Sequence, residues 1–231
     1  MIDLSQRSDE EELMDDLLCE GPVVDQTLAE LDVINRLLGG NQISIQAFKE
    51  LLKNRTEPIH LVDLGCGSGD LMKVMADLCR KRGIKATFTG FDANPNIVAY
   101  AKRHTKDYPE ISYQCLNILS EAFREIQCDV IHACLFCHHF TSAQLSQLFG
   151  TFKQMASEKV IINDLHRHHL AYYSIKWLTG WFSKSDMVKN DAAMSVARGF
   201  KRKELEAILN QAGIETAQLS WAWAFRWKLI Y

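Results

Sequence analysis

The sequence has no apolar run long enough to cross a lipid bilayer. Its first residues are acidic, whereas a secretory signal peptide begins with basic residues before an apolar core, so we expect no such leader. A basic excess, usual in nucleic-acid-binding domains, is also missing, since the net charge is -3. These absences point away from membrane-spanning, secreted and nucleic-acid-binding proteins.

Seven cysteines cannot all pair with one another, and several of them lie inside apolar strand patterns. We therefore expect free thiols and a cytoplasmic location. Charged residues are concentrated in two segments, an acidic one over residues 9–16 and a basic one over residues 176–203. Both are expected to be solvated surface. No internal repeat is visible, and 231 residues suffice for one sizeable core.

Strand and helix patterns alternate along most of the chain, after helical patterns over residues 1–20, 25–38 and 43–53. This alternation predicts an α/β fold: a Rossmann-like, seven-stranded, mostly parallel sheet with helices on both faces. The last two strands lack a helix between them, so they should form an antiparallel hairpin. We expect an N-terminal helical extension over residues 1–56 and a main domain over 57–231. The predicted strands are 59–64, 86–91, 111–115, 129–135, 159–163, 214–219 and 223–230.

A glycine-rich turn follows the first strand and opens a helix. Gly65, Gly67 and Gly69 let the backbone approach a ligand closely, and the helix N-terminus offers free N–H groups. Asp70 stands where a dinucleotide fingerprint has its third glycine, and a carboxylate there opposes a pyrophosphate. Asp92, at the end of the second strand, can accept hydrogen bonds from a ribose diol. The turn therefore predicts an adenosine-like ligand without clustered phosphates.

This combination resembles the class I S-adenosylmethionine-dependent methyltransferases. Residues 62–69, Val-Asp-Leu-Gly-Cys-Gly-Ser-Gly, match their first motif, and Asp92 matches the second. Asn117 stands where an aspartate is usual, yet it can still bond an adenine amino group. The resemblance implies S-adenosyl-L-methionine as cofactor and S-adenosyl-L-homocysteine as product. It implies these cofactor-binding residues: Asp63, Gly65, Gly67, Asp92, Ala93, Asn117, Ile118 and Cys134.

Histidines follow strands four and five, at the edge of the sheet that should face the cofactor. We predict His138 and His166 as candidate catalytic bases, with Asp164 able to orient one of them. A His-His pair after strand four resembles the small-molecule branch of the family, including polyketide and quinone methyltransferases. The Asn-Pro-Pro-aromatic motif of the amine-methylating branches is absent, which favours oxygen or carbon acceptors.

No metal site is predicted from the sequence. Cys134 and Cys137 lie close to two histidines, a superficially zinc-like set, but Cys134 should be buried in a strand and no second Cys-x-x-Cys follows. A catechol-type magnesium site needs a carboxylate at the end of strand four, and that position lacks one.

An aromatic-rich segment, residues 165–200, should cover the substrate. Its apolar residues fall on one face of a predicted helix over 167–182, which suits a lid over an apolar acceptor or contact with a membrane surface. We expect O-methylation of a small lipophilic aromatic or polyketide-like acceptor. C-methylation of a quinone precursor and a non-catalytic cofactor-binding module are alternatives. Acceptor identity and oligomeric state stay open.

Overall fold

One mixed sheet organises residues 2–231, which are the residues that the computed structural model describes. Its strands are β1 (Ile59–Leu64), β2 (Ala86–Asp92), β3 (Ile111–Cys115), β4 (Cys128–Cys134), β5 (Ala156–Leu165), β6 (Gln218–Ala222) and β7 (Arg226–Ile230). They are ordered β3-β2-β1-β4-β5-β7-β6. The first five pair in parallel, and β7 runs antiparallel to β5 and β6. The predicted sheet and its closing hairpin are thus confirmed.

Helices cover both faces of the sheet, as the alternating pattern predicts. One apolar cluster joins the sheet to α2, α3 and α4, and another joins it to α5 and α8. Among the described residues, none of the helices combines the length and apolar character needed to cross a bilayer. The helices are α1 (Pro22–Leu37), α2 (Asn41–Leu51), α3 (Asp70–Arg82), α4 (Pro95–His104), α5 (Ser142–Met155), α6 (His169–Phe182), α7 (Asp186–Arg198) and α8 (Arg202–Gln211).

Parallel order brings the carboxyl ends of β1, β2, β4 and β5 to one edge of the sheet. The register sets Asp63 of β1 beside His132 of β4, and Cys134 of β4 beside Asn163 of β5. Polar side chains at these strand ends therefore converge, whereas Val62, Leu64 and other apolar neighbours are buried in the core. This edge is where a ligand of an open α/β sheet is expected.

Three local expectations were wrong. Residues 1–20 were expected to be helical, but the described part of this segment, residues 2–20, contains only a short 3₁₀ turn, Leu13–Asp15. The first hairpin strand begins at Gln218 rather than at residue 214. The aromatic-rich segment holds a second helix, α7, in addition to the predicted one. Apolar residues at helical spacing do not by themselves form a helix, because a short helix has little stability in water unless it packs against another surface.

Residues 2–20, called here the N-terminal strap, cross the same edge of the sheet and are tied down by main-chain hydrogen bonds. Ser8 N donates to Ala197 O (3.1 Å). Arg167 is 1% exposed and donates to the carbonyl of Leu4 (3.1 Å). The same guanidinium forms two bonds to the carboxylate of Glu204, of 2.6 and 3.0 Å. A buried arginine therefore connects the strap to α8.

We predict that Arg167→Ala lowers the free energy of unfolding by about 1–3 kcal/mol, because it leaves the half-buried carboxylate of Glu204 and several main-chain carbonyls without their donor. Urea denaturation of the purified chain measures this change. Arg103→Ala is the matched control, since Arg103 forms an exposed pair with Asp25, and such pairs contribute about 0–1 kcal/mol. Equal losses in the two variants would show that Arg167 does not anchor the strap.

Candidate functional site

A cavity of about 420 Å³ opens at the carboxyl ends of β1, β2 and β4. This volume lies within the usual range of small-molecule sites, about 300–1,000 Å³. All eight residues predicted to bind the cofactor line it, although their roles as cofactor ligands stay a prediction. They are Asp63, Gly65, Gly67, Asp92, Ala93, Asn117, Ile118 and Cys134.

The glycine turn forms the floor of the cavity and needs glycine at two positions for different reasons. Gly65 has φ +62°, and a Cβ there would lie 2.1 Å from the ring of Phe136, so any side chain would clash. Gly67 has φ +51°, but a Cβ there would meet only Leu28, at 3.8 Å. The backbone at Gly67 therefore stays open to the cavity, where a ligand can approach it.

Asp92 ends β2 and places its carboxylate in the wall of the cavity. The carboxylate accepts a hydrogen bond from the main-chain N–H of Asn94 (3.0 Å). Burial raises the pKa of Asp92 to about 6, because the hydrogen bonds that it accepts do not fully replace water. Its ionised form would gain from the two donors of a ribose diol. Asn117 accepts from the N–H of Leu119 (2.9 Å), so its side-chain oxygen is already engaged.

Asp63 is held by a histidine that sequence reasoning did not single out. His132 Nδ1 lies 2.6 Å from Asp63 Oδ1, and His132 Nε2 lies 2.9 Å from Ser44 Oγ. All three side chains are buried. The chain Ser44–His132–Asp63 therefore fixes the orientation of a carboxylate at the cavity floor. The signal was a histidine in an otherwise apolar strand, directly across from Asp63 in the register.

His138 lines the part of the cavity formed by the turn that follows β4. Its Nδ1 lies 2.7 Å from Asp164 Oδ1, and its Nε2 lies 3.4 Å from Glu12 Oε1. Burial disfavours the charged ring, yet the two carboxylates outweigh burial and raise the pKa of His138 to about 9. The predicted pairing of Asp164 with a histidine is present here. The raised pKa favours the imidazolium form, whose Nε2–H faces the Glu12 carboxylate at the border of the cavity.

The N-terminal strap and α7 cover this part of the cavity. Arg198 of α7 pairs with Asp15 and donates to the carbonyls of His138 (3.3 Å) and His139 (2.9 Å). Arg7 of the strap also donates to the carbonyl of His138 (2.9 Å). Two guanidinium groups therefore hold the main chain of the histidine turn. Glu12 and Asp15, expected to be solvated, are respectively buried and half-buried parts of the site.

His166 does not line the cavity. Its ring centroid lies 5.0 Å from that of Trp227, and burial among neighbouring cations lowers its pKa. The structure thus brings His138 and Asp164 together but sets His166 apart, and this position does not support a catalytic role for it. The cavity wall from the aromatic-rich segment comes from α7, through Val188, while the aromatic side chains of α6 face away.

Several cavity residues carry no local sequence signal. The charged ones are Glu12, Asp15, Asp32 and His139, together with Asp191. Burial raises the pKa of Asp32 to about 6, although Ser68 donates a hydrogen bond to it (2.7 Å). The only sequence feature that could have indicated them was the opposite charge of the acidic N-terminus and the later basic segment.

Comparison with known families agrees with this geometry. Residues 61–159 match the family model described as "Methyltransferase domain". The non-reducing polyketide synthase sor2 of Hypocrea jecorina (strain QM6a) is 33% identical over 66 residues, which are 29% of this chain and 2% of that protein. The chain therefore spans a very small part of the curated relatives that it matches.

Solved structures share the fold at low identity. The plantazolicin methyltransferase BpumL in complex with SAH superimposes with a TM-score of 0.63 and 18% identity, covering 88% of this chain and 74% of that chain. The CMeT domain of the citrinin polyketide synthase gives a TM-score of 0.59 and 16% identity, with 82% and 51% covered. These likenesses support the Rossmann-like arrangement of sheet and helices.

Proposed function

We propose that this chain, whose residues 61–159 match a methyltransferase domain model, transfers a methyl group from S-adenosylmethionine to an oxygen of a small, lipophilic aromatic or polyketide-like acceptor. One observation carries the proposal. A single cavity is lined both by the glycine turn with Asp92, called here the donor end, and by the buried His138 with Glu12, called here the acceptor end. The donor and the acceptor can therefore meet between these two ends.

The residues of the donor end fit the cofactor. The open backbone at Gly67 suits a close approach by its methionine part, and the Asp92 carboxylate suits its ribose. Ala93 and Ile118 supply apolar wall beside the place of the adenine. The cofactor supplies an activated methyl group on a sulfonium, so positioning of the acceptor provides most of the rate acceleration.

The acceptor end is built to position an oxygen and to exclude water. His138 lines the cavity, Asp164 fixes its ring through Nδ1, and its Nε2 faces the Glu12 carboxylate at 3.4 Å. The strap and α7 shield this position from solvent, since Glu12 and His138 are 7% and 2% exposed. A dry site strengthens every electrostatic contact made to the acceptor. We assign His138 as the residue that contacts the reacting oxygen.

C-methylation is the second candidate. It is favoured by the match to polyketide synthases and by the structural likeness to a CMeT domain. An enol oxygen held at His138 would then direct the neighbouring carbon to the methyl group. A non-catalytic cofactor-binding module is the third candidate. Measured methyl transfer to any acceptor would distinguish the two enzyme functions from it.

A peripheral membrane contact completes the proposal. Trp177 and Trp181 of α6 are 65% and 71% exposed, and Phe182 is 76% exposed. Lys176 and Lys184 lie beside them in the sequence and carry the charge that anionic headgroups attract. A membrane-resident acceptor would explain why so much aromatic surface faces solvent.

We predict that Asp92→Asn weakens cofactor binding by about 10- to 150-fold, since a hydrogen bond to a charged group contributes about 1.5–3 kcal/mol. Wild-type affinity should fall as the pH drops through about 6, because the raised pKa leaves the carboxylate protonated below that value. Calorimetric titration with S-adenosylmethionine between pH 5 and 8 measures both effects.

Asp70→Asn is the matched control, because Asp70 lines the same cavity but pairs with Lys73. It should change affinity less than Asp92→Asn does. Unchanged binding in Asp92→Asn, or the same pH dependence in that variant, would remove the ribose assignment.

We predict that His138→Ala lowers turnover by about 10²–10⁴-fold, the range typical of a positioned proton-transfer or hydrogen-bonding group, while cofactor affinity changes little. The assay follows transfer of ¹³C-methyl from labelled cofactor to a panel of alkylated phenols and β-diketones. Carbon NMR of the product separates O-methyl from C-methyl.

His166→Ala is the comparison variant, and its loss of turnover should be the smaller one. A larger loss in His166→Ala would move the acceptor site to that residue. Cofactor binding without methylation of any panel member, by wild-type protein, would favour the non-catalytic module.

We predict that replacing both Trp177 and Trp181 by serine reduces co-sedimentation with vesicles of anionic phospholipid. Burial of exposed indole rings at the interface provides the attraction that this change removes. Leu37→Ser is the control, because Leu37 is 77% exposed on α1, away from this surface. Equal vesicle binding by all three proteins would contradict a membrane contact through α6.

A further inference from the structure

Three side chains converge at the acceptor end of the cavity in an arrangement that methyl transfer alone does not require. Glu12 comes from the N-terminal strap, and His138 and His139 come from the turn after β4. Each offers one potential ligand atom, and these atoms all lie within 4.8 Å of one another. All three residues line the cavity, so the cluster borders the space assigned to the acceptor.

Two atoms of this cluster lack a hydrogen-bond partner among the described residues. They are Glu12 Oε1 and His138 Nε2, both of them buried. The two atoms face each other in an ion-pair contact that is a poor hydrogen bond, and a metal ion between them would displace the proton of Nε2. Their separation of 3.4 Å is close to the ~3.3 Å expected between two ligands of a tetrahedral zinc ion at about 2.0–2.1 Å.

Each histidine is held by a carboxylate on its other ring nitrogen. His138 Nδ1 lies 2.7 Å from Asp164 Oδ1, and His139 Nδ1 lies 2.6 Å from Asp15 Oδ1. An Nδ1–H donated to a carboxylate leaves Nε2 as the nitrogen available to a metal ion. Carboxylate–histidine pairs of this kind orient metal ligands and raise their basicity. The cluster thus has both a ligand set and an outer layer that supports it.

We propose that Glu12, His138 and His139 bind a divalent transition-metal ion of the zinc class. Two imidazoles and one carboxylate are a ligand set that such ions use, whereas calcium and magnesium prefer oxygen ligands. The site differs from the cysteine-based one considered from the sequence, since neither Cys134 nor Cys137 belongs to the cluster. It replaces the sequence-based expectation of no metal site.

The charges around the cluster suit a dication. Glu12, Asp15 and Asp164 bring three carboxylates to the two histidines, while Arg7 and Arg198 provide two fixed positive charges. Arg198 Nη1 lies 3.7 Å from Glu12 Oε1, but its shorter contacts are to Asp15 and to main-chain carbonyls. The three carboxylates therefore exceed the two guanidinium groups by one negative charge. A zinc dication together with one anionic oxygen of an acceptor would bring the total charge to zero.

The role of the ion rests on the proposed function. Three protein ligands leave at least one coordination position, and the cluster borders the cavity. With the ion bound, His138 would act on the acceptor through the metal rather than by direct contact. An oxygen of the acceptor can take the open position, where the ion would hold it in place for the methyl group and stabilise its negative charge. Acceptors with a phenolic or enolic oxygen, preferably with a second oxygen nearby, are the class that such an ion selects.

The test is a calorimetric titration of the chelator-treated full-length chain with ZnCl₂, without cofactor or acceptor. We expect one zinc ion per chain, and a tetrahedral visible absorption band when CoCl₂ replaces zinc. Glu12→Gln, which keeps the side-chain shape, and His138→Ala should each abolish saturable binding. Asp164→Asn should weaken it by about 10- to 100-fold, as expected for an outer-layer partner.

His104→Ala is the matched control, because His104 belongs to a second, less buried group with Asp32 and Asp70. This variant should bind zinc with the same affinity and stoichiometry as the wild-type chain. Absence of zinc binding by the folded wild-type chain, retention in Glu12→Gln, or loss in His104→Ala would each overturn the site. Circular dichroism establishes that every variant is folded.

The two proposals can fail separately. Zinc binding without methyl transfer to any acceptor would retain the metal site and remove the methyltransferase proposal. If the protein transfers methyl groups but binds no zinc in the titration, the methyltransferase proposal would be retained and the metal site removed.

Discussion

Charge compensation in a dry pocket is the constraint on which the site depends. Three carboxylates, from Glu12, Asp15 and Asp164, surround the His138–His139 turn, and those of Glu12 and Asp164 are buried. Carboxylates removed from water are costly unless they are paired and hydrogen-bonded. Arg198 and the ring of His138 provide that pairing, and they come from distant parts of the chain.

This requirement explains why the N-terminal strap belongs to the site. The strap supplies Glu12 and Asp15, and its main chain is held in return by the carboxylate of Asp191, which accepts from Leu13 (2.8 Å) and Met14 (3.0 Å). The strap is therefore bound by polar contacts as well as by buried apolar residues such as Leu4.

The donor end is positioned mainly by backbone geometry rather than by compensation of buried charges. Its parts lie on consecutive strands of a parallel sheet, and backbone geometry places them. Gly65 is required because Phe136 packs against it, and Asp92 is required at the end of β2 because only there does it reach the cavity. Its one long-range pair, His132 with Asp63, orients a carboxylate that the glycine motif already identifies, so this end can be predicted from short motifs. The residues that form the donor end are thus placed mainly by local sequence, whereas those of the acceptor end depend on contacts between distant parts of the chain.

The sequence by itself determined the alternating strands and helices, the closing hairpin, and the set of residues around the glycine turn. Each follows from periodicity or spacing within a few residues, which local backbone preferences control. The tertiary structure alone decided that His138 rather than His166 faces the cavity, that α7 rather than α6 walls it, and that Glu12 is buried. Those outcomes depend on contacts such as Arg198 with Asp15, 183 residues apart, for which no local pattern exists. Charged residues that read as solvated surface in the sequence became interior because each found its partner only in the folded chain.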